Sequence, residues 1–93
     1  MIKVNEYYDG KVKSLGNSLN GIPFTVGIIE PGEYSFSTEK EEHMKVVHGE
    51  MEVKLPDEDN FKTYREGEKF IVSPGKTFKV KVSQPVSYVC EYK

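Results

Sequence analysis

The sequence predicts an all-β domain, and three observations support this fold class. Apolar and polar residues alternate over short segments, as around Phe78 and Val80, which is the period of half-buried strands. Turn signals such as Pro31-Gly32 and Pro74-Gly75 separate these segments, and no segment has a sustained helical period. Because such short strands need partners to bury a core, we expect one closed sandwich or barrel over residues 1–93.

The N-terminal third contains two turn signals and one clear strand. We expect an extended arm over residues 3–15 that is interrupted by a turn at Asp9-Gly10. The small and polar residues 17–21 predict a loop. Alternation over residues 24–29 predicts the first strand of the core, which Pro31-Gly32 ends.

Residues 31–56 carry the clearest strand pattern in the chain. A charged bend at 39–43 and a tight turn at His48-Gly49 divide this stretch into short strands. One side chain in two is apolar there, and these residues are expected to face the core: Tyr34, Phe36, Met44, Val46, Met51, Val53 and Leu55.

The C-terminal half continues the same alternation of strands and turns. Its predicted strands cover residues 61–65, 69–72, 78–82 and 86–92, with turns or loops at 56–60, 65–68, 73–76 and 84–85. Within the last two strands, period two predicts two inward sets: Phe78, Val80 and Val82, and then Tyr88, Cys90 and Tyr92. In the last strand, Val89 is an alternative inward residue.

Composition excludes several functional classes. The chain has 13 Lys and Arg against 15 Asp and Glu, a net charge of −2, whereas nucleic-acid binders are usually basic with clustered cations. No apolar run reaches the length of a membrane helix, and no signal peptide is recognisable at the start. Cys90 is the single cysteine, so we expect a buried structural thiol and a cytoplasmic protein. A core this small also favours a homodimer.

Polar residues in register with the predicted core mark a candidate site. Thr38, Lys40 and Glu42 share the parity of Met44 and Val46, so this parity would direct a hydroxyl, an ammonium and a carboxylate into the mouth of a barrel. The alternative is a solvated, charged hairpin tip, because the bend can break the phase of the alternation.

Two segments are similar to the motifs of the cupins. Gly32, Glu42 and Gly49 resemble their first motif, although the spacing from Thr38 and Lys40 to Glu42 is shorter than usual, and Gly67, Pro74-Gly75 and Phe78 resemble their second. Metal-binding cupins have a His-x-His pair where Thr38 and Lys40 stand, and a histidine where Phe78 stands. The resemblance therefore leaves only Glu42 of the usual ligands, and a single carboxylate does not hold a transition metal. We expect a metal-free, jelly-roll-like cupin barrel, with His43 and His48 at the surface.

A more specific resemblance covers the chain from Asn5 to Tyr92. The segments NEYYDGKVKSLG, EPGEYSFST, VHGEMEVKLPD, EGEKFIVSPGKTF and SYVCEYK resemble the pyrimidine/purine nucleoside phosphorylases, a family of small cupin-fold proteins. The resemblance implies cleavage of purine and pyrimidine nucleosides by inorganic phosphate, with release of free base and ribose 1-phosphate. It implies phosphate as co-substrate and neither a metal nor an organic cofactor.

This chemistry requires three kinds of group in one cavity. The sugar becomes cationic in the transition state, so we expect Glu42 to stabilise it, with Thr38 and Lys40 as its catalytic neighbours. Lys40, Arg65 and Lys76 are the candidate phosphate ligands. The remaining candidates for substrate binding are apolar or aromatic, and the rings among them would stack on the base: Tyr34, Phe36, Met44, Phe78, Tyr88 and Tyr92.

Each candidate has a structural alternative. Lys76 can be a solvated turn lysine, Arg65 can pair with Glu66 or Glu68 at the surface, and the aromatic residues can be core packing. At the level of function, the alternative to an enzyme is a metal-free cupin that binds a small sugar or nucleoside without turning it over.

Overall fold

The computed structural model describes residues 1–93 and contains ten β-strands and no helix. The strands are β1 (Lys3–Tyr7), β2 (Val12–Leu19), β3 (Ile22–Ile29), β4 (Gly32–Ser37), β5 (Glu42–His48), β6 (Met51–Lys54), β7 (Lys62–Tyr64), β8 (Lys69–Val72), β9 (Thr77–Val82) and β10 (Val86–Tyr92). The all-β prediction is confirmed. The structure has no helix that could cross a membrane.

The strands form two antiparallel sheets that face each other. The larger sheet has six strands in the order β1-β2-β3-β10-β5-β8, and the smaller has four in the order β4-β9-β6-β7. Sequence neighbours often lie in different sheets, since β3 and β4, or β5 and β6, are joined by short turns that cross from one sheet to the other. This is the jelly-roll-like cupin barrel predicted from the sequence.

The core lies between the two sheets, on the faces that the alternation predicted. It contains 16 buried apolar side chains, and Phe78, Val80 and Val82 are among them. On β10, Tyr88 and Cys90 are also buried. Because β10 pairs with both β3 and β5, it lies at the centre of the larger sheet and holds its inward side chains firmly.

The prediction of a loop over residues 17–21 is wrong. Strand β2 continues to Leu19, which pairs with Ile22 at the start of β3, so the connection is only Asn20-Gly21. Both residues have positive φ, 52° and 79°, which is the conformation of a tight hairpin turn whose twist matches that of the flanking strands. The polar composition of the segment reflects an exposed hairpin end rather than a loop.

Two further boundaries differ from the prediction. The N-terminal arm is a β-hairpin, since β1 pairs along its length with β2, and Asp9-Gly10 lies in the turn as expected. The bend expected over 39–43 is shorter, because Glu42 and His43 already pair with both β8 and β10. The backbone between Thr38 and Glu42 is not extended and the Lys40 side chain is exposed, but Met44 and Val46 on β5 keep the inward parity that the sequence predicted.

Candidate functional site

A cavity of about 870 Å³ lies between the two sheets and opens to solvent at one end. Strands distant in sequence contribute its lining, since β1, β2, β3, β5 and β10 come from the larger sheet and β4 and β9 from the smaller. It is large enough for a nucleoside-sized ligand. Its lining residues are Lys3, Tyr7, Tyr8, Val12, Ser14, Pro23, Ile29, Ser35, Phe36, Ser37, Glu39, Lys40, Glu42, Met44, Phe78, Val80, Tyr88 and Tyr92.

The cavity has chemically different walls. The larger sheet contributes a polar wall, which contains the side chains of Ser14, Glu42, Tyr88 and Tyr92. The smaller sheet contributes an apolar wall in which the rings of Phe36 and Phe78 lie with their centroids 5.6 Å apart. A ligand with a polar part and a flat apolar part can therefore satisfy both walls at once.

Glu42 is the carboxylate of the polar wall, and no cation pairs with it. The one side-chain hydrogen bond that Glu42 accepts comes from the Cys90 thiol, whose Sγ lies 3.7 Å from Oε1. Burial raises the pKa of Glu42 above its ordinary value, and the thiol opposes this rise by donating to the carboxylate. Burial also raises the pKa of Cys90 to about 12, so the sulfur remains a neutral thiol rather than a nucleophilic thiolate.

Two tyrosine hydroxyls share the polar wall with Glu42, and each is held by a hydroxyl from β2 or β3. The hydroxyls of Tyr92 and Thr25 are 3.0 Å apart. Tyr88 contacts Ser14, whose Oγ accepts a hydrogen bond of 3.2 Å from the Asn5 amide. Burial raises the pKa of Tyr88 to about 12 and raises that of Tyr92 as well. Both hydroxyls are therefore neutral donors at physiological pH.

The open end of the cavity is bordered by exposed residues from β1, β4 and the bend before β5. Lys3 and Lys40 supply its positive charge, and Glu39 supplies negative charge. Tyr8, in the turn after β1, also lines the cavity, and its hydroxyl donates to the Ser35 carbonyl at 2.6 Å and accepts from the Ser35 amide at 3.1 Å. This single side chain thus bonds the edge of β4 as a neighbouring strand would.

Seven of the residues predicted for the site line this cavity. They are Phe36, Lys40, Glu42, Met44, Phe78, Tyr88 and Tyr92. Lys3, Tyr7, Tyr8 and Ser14 were not predicted from the sequence, and they reach the cavity because β1 and β2 form a hairpin. Period two within that hairpin was the available signal, since Lys3, Asn5 and Tyr7 share a parity.

Thr38 does not line the cavity, although the sequence placed it there. Its side chain is buried, 4% exposed, and its hydroxyl donates to the Ser73 carbonyl at 2.7 Å and accepts from the Lys76 amide at 3.1 Å. These bonds hold the turn between β8 and β9 against the end of β4. The parity of Thr38 does direct its side chain inward, but toward the backbone of this turn rather than toward the cavity.

Tyr34, Arg65 and Lys76 also lie outside the cavity lining. Tyr34 is buried beside it and donates to the Glu30 carbonyl at 2.6 Å. Arg65 is exposed and forms an ion pair of 3.4 Å with Glu50, rather than with the neighbouring acidic residues. Lys76 is exposed in a turn, as its structural alternative predicted.

No metal-binding cluster is formed by the side chains of this chain. The structure brings together no group of three or more His, Cys, Asp or Glu residues. His48 is exposed and lies 2.9 Å from Glu66, and this surface location was predicted. His43 is half-buried and lies 2.6 Å from Glu41, so it is less exposed than expected.

This combination of fold and site defines a class: a cupin barrel whose cavity carries a carboxylate and tyrosine hydroxyls in place of clustered imidazoles. The fold is shared by an RmlC-like cupin from Shewanella frigidimarina, with a TM-score of 0.78 at 17% sequence identity over 98% of this chain and 82% of that one. At this level of identity the likeness concerns the fold alone.

The chain belongs to the pyrimidine/purine nucleoside phosphorylase family, whose family model matches residues 2–92. A protein of that name from Pseudomonas putida (strain W619) is 48% identical over 93 residues, covering 100% of this chain and 99% of the relative. One from Aeromonas salmonicida (strain A449) is 46% identical over 92 residues, covering 99% and 98%. A solved structure from Vibrio parahaemolyticus, described as a protein of unknown function, has a TM-score of 0.96 at 42% identity, covering 100% of this chain and 99% of that chain.

Proposed function

We propose that this protein is a nucleoside phosphorylase that acts on purine and pyrimidine nucleosides. Inorganic phosphate attacks C1′ of the ribose, the bond from C1′ to the base nitrogen breaks, and free base and ribose 1-phosphate are released. Family membership over residues 2–92 supports the reaction. The observation that carries the assignment to this cavity is Glu42, a carboxylate without a cation partner in the polar wall.

The two walls suggest how a nucleoside is oriented. The ribose hydroxyls fit the polar wall, where Tyr88, Tyr92 and Glu42 offer donors and an acceptor. The base fits against Phe36 and Phe78. Stacking on an aromatic wall discriminates weakly among bases, because each base presents a π-face. This weak discrimination supports a substrate range that includes both purine and pyrimidine nucleosides.

Glu42 suits the role of stabilising the sugar in the transition state. As the bond to the base breaks, positive charge develops on C1′ and the ring oxygen, and an ionised carboxylate at a partly desolvated wall stabilises it. The electron pair of the broken bond leaves with the base, which is then protonated. A carboxylate already neutralised by a lysine or arginine would do this less well.

Phosphate would bind at the open end of the cavity, where Lys40 and Lys3 supply cations. Lys40 was a candidate from the sequence, and Lys3 replaces Arg65 and Lys76, which lie elsewhere. We propose that phosphate is the co-substrate and that neither a metal nor an organic cofactor takes part. The support is the cavity's donor set, which includes no imidazole.

We also propose an oligomeric state and a cellular location for this protein. Val4, Leu15, Val26 and Val89 pair in register across four adjacent strands, and they form an apolar row on the outer face of the larger sheet. Glu6 and Lys13 lie on one side of the row and Glu91 on the other, so a second copy related by a two-fold axis can offer opposite charges. We therefore infer a homodimer through this face. The lone thiol of Cys90 agrees with a cytoplasmic location.

The experiment that tests the proposal is release of free base from uridine and from inosine, with and without phosphate, after treatment with a chelator. We expect release that depends on phosphate and survives the chelator. Glu42→Gln should lower kcat/KM by roughly two orders of magnitude, as loss of a charge that acts in the transition state does. Glu41→Gln is the matched control and should retain activity, because Glu41 points away from the cavity toward His43.

The results also separate an enzyme from a binding protein. If the nucleosides bind but no base is released in saturating phosphate, the protein is a nucleoside-binding cupin and the proposed activity is wrong. If release stops with the chelator, the metal-free mechanism is wrong.

A further inference from the structure

We propose that Cys90 is a positioning residue for Glu42, so that its thiol fixes the carboxylate at the cavity wall without neutralising it. The inference rests on the function proposed above and adds a residue that does not itself touch the substrate. Cys90 is absent from the cavity lining and is fully buried, 0% exposed. Its role would therefore be exerted through Glu42.

The backbone places these two side chains together. In the pairing of β10 with β5, Tyr92 lies opposite Glu42 and Cys90 lies opposite Met44. The Cys90 thiol therefore reaches the Glu42 carboxylate from the adjacent inward pair of residues on these two strands, with Sγ 3.7 Å from Oε1. Because β10 is paired on both sides, its position is fixed more firmly than that of the exposed bend that precedes Glu42.

Glu42 has no other fixed partner. It takes part in none of the ion pairs of the structure and accepts no other hydrogen bond. Without Cys90, the carboxylate would be free to rotate at the start of β5. Catalysis by a fixed charge needs that charge to be in place before the reaction begins, because reorientation during the reaction costs free energy.

A thiol suits this position better than a stronger donor. It is neutral in this environment and donates only weakly, so it can orient an ionised carboxylate and leave most of its charge available. The other titratable groups near Glu42 are Tyr88 and Tyr92 on β10, while β8 presents the apolar Val72 opposite it. Across the cavity, Lys3, Tyr7, Tyr8, Glu39 and Lys40 complete the charged and titratable groups that face it.

The test compares Cys90→Val, which fills the volume without a donor, with Cys90→Ser, which restores a donor. The first readout is the pKa of the Glu42 carboxyl group, measured by NMR titration of protein labelled with ¹³C-glutamate. In Cys90→Val we expect this pKa to rise by roughly half a unit to one unit, which is the size of one lost hydrogen bond from a weak donor such as a thiol. In Cys90→Ser it should lie closer to that of the unaltered protein.

The second readout is the dependence of kcat/KM on pH. On its acidic limb, Cys90→Val should be roughly three- to tenfold less active, which corresponds to the same shift in pKa. Val46→Ala is the control, because it removes core volume from β5, the strand of Glu42, without removing a hydrogen-bond donor. If Cys90→Val does not fold, Cys90→Ala takes its place.

Two results would overturn the inference. One is a Glu42 pKa that does not change in Cys90→Val, and the other is an equal change in Val46→Ala. Because the NMR titration needs no turnover, it decides the role of Cys90 even if the unaltered protein releases no base. Absence of turnover would instead contradict the proposed phosphorylase activity.

Discussion

At the scale of single residues, burial of the ionised Glu42 carboxylate lowers the stability of the fold. Burial raises its pKa above the ordinary value of 4.5, so the folded protein binds this proton more tightly than the unfolded chain. The contribution of this group to stability is present below pH 4.5 and is lost as the pH rises through the raised pKa. We predict that Glu42→Gln increases the free energy of unfolding at pH 7, by about 1 kcal/mol or less because the group is only partly buried.

Denaturation by urea at pH 7 and pH 4 measures this effect. The difference between Glu42→Gln and the unaltered protein should be larger at pH 7 than at pH 4. Glu66→Gln is a control of opposite sign, since the Gly49 amide donates to that carboxylate at 3.0 Å and lowers its pKa. Its loss should reduce stability at pH 7. A less stable Glu42→Gln protein at pH 7 would show that the carboxylate is a structural group.

Gly27 makes room for Tyr88. A Cβ atom at position 27 would lie 2.5 Å from the ring and the hydroxyl of Tyr88, much closer than a real contact allows. We predict that Gly27→Ala destabilises the fold by roughly 1–3 kcal/mol, the usual cost of overpacking, and weakens nucleoside binding because Tyr88 must move within the polar wall. Gly16→Ala on the adjacent strand is the control, because its nearest neighbour would be 3.5 Å away. Equal stability of the two variants in urea would contradict the prediction.

At the scale of elements, the turn between β1 and β2 is strained and is held by one side chain. Tyr8, Asp9 and Gly10 have φ of 53°, 55° and 83°, and this left-handed conformation is unfavourable for tyrosine. The two hydrogen bonds between Tyr8 and Ser35 offset that cost and attach the hairpin to the edge of β4.

We predict that Tyr8→Phe releases this attachment and leaves the fold intact. The Ser35 amide loses its acceptor, so its hydrogen exchange should become several-fold faster, and stability should fall by about 1 kcal/mol. Tyr7→Phe is the matched control, since the Tyr7 hydroxyl makes no hydrogen bond within the protein while its ring lines the same cavity. Unchanged exchange at Ser35 in Tyr8→Phe would mean that the hairpin is held by other contacts.

The sequence was informative about elements where the alternation was uninterrupted. The inward faces of β9 and β10 follow from period two alone, so Phe78, Tyr88 and Tyr92 were correctly predicted to reach the interior and also line the cavity. The prediction failed at irregular backbone. Positive φ at Asn20-Gly21 makes a tight turn out of a segment whose composition suggests a loop, and the bend between Thr38 and Glu42 leaves Lys40 exposed although its parity is that of the inward residues on both sides.

At the scale of the whole molecule, the cavity depends on contacts that no local pattern contains. The β1–β2 hairpin borders β4 only because the two sheets face each other, which is why Lys3 and Tyr8 could not be assigned in advance. Arg65 and Lys76 were selected for their charge alone, and the topology places them away from the opening. The family resemblance predicted the reaction class, while the pairing of strands determined which residues can meet the substrate.

The outer face of the larger sheet leads to a prediction about assembly. Leu15 and Val26 are 51% and 46% exposed, although they pair in register at the middle of the apolar row. Exposed apolar residues that are contiguous over several strands usually mark an interface. We predict that the protein is a dimer at tens of micromolar and that Val26→Lys makes it monomeric, because two copies would then place like charges and unsolvated ammonium groups at the centre of the contact.

Light scattering coupled to size-exclusion chromatography measures the mass of both proteins. Ile71→Lys is the matched control, since Ile71 is 54% exposed on β8, at the opposite edge of the same sheet and outside the row. This variant should remain a dimer. If Val26→Lys keeps the dimer, the interface lies on another face, and if the unaltered protein is already a monomer, the row has no partner among copies of this chain. The cavity opens between the sheets rather than on this outer face, so we expect the monomeric variant to retain phosphorolysis.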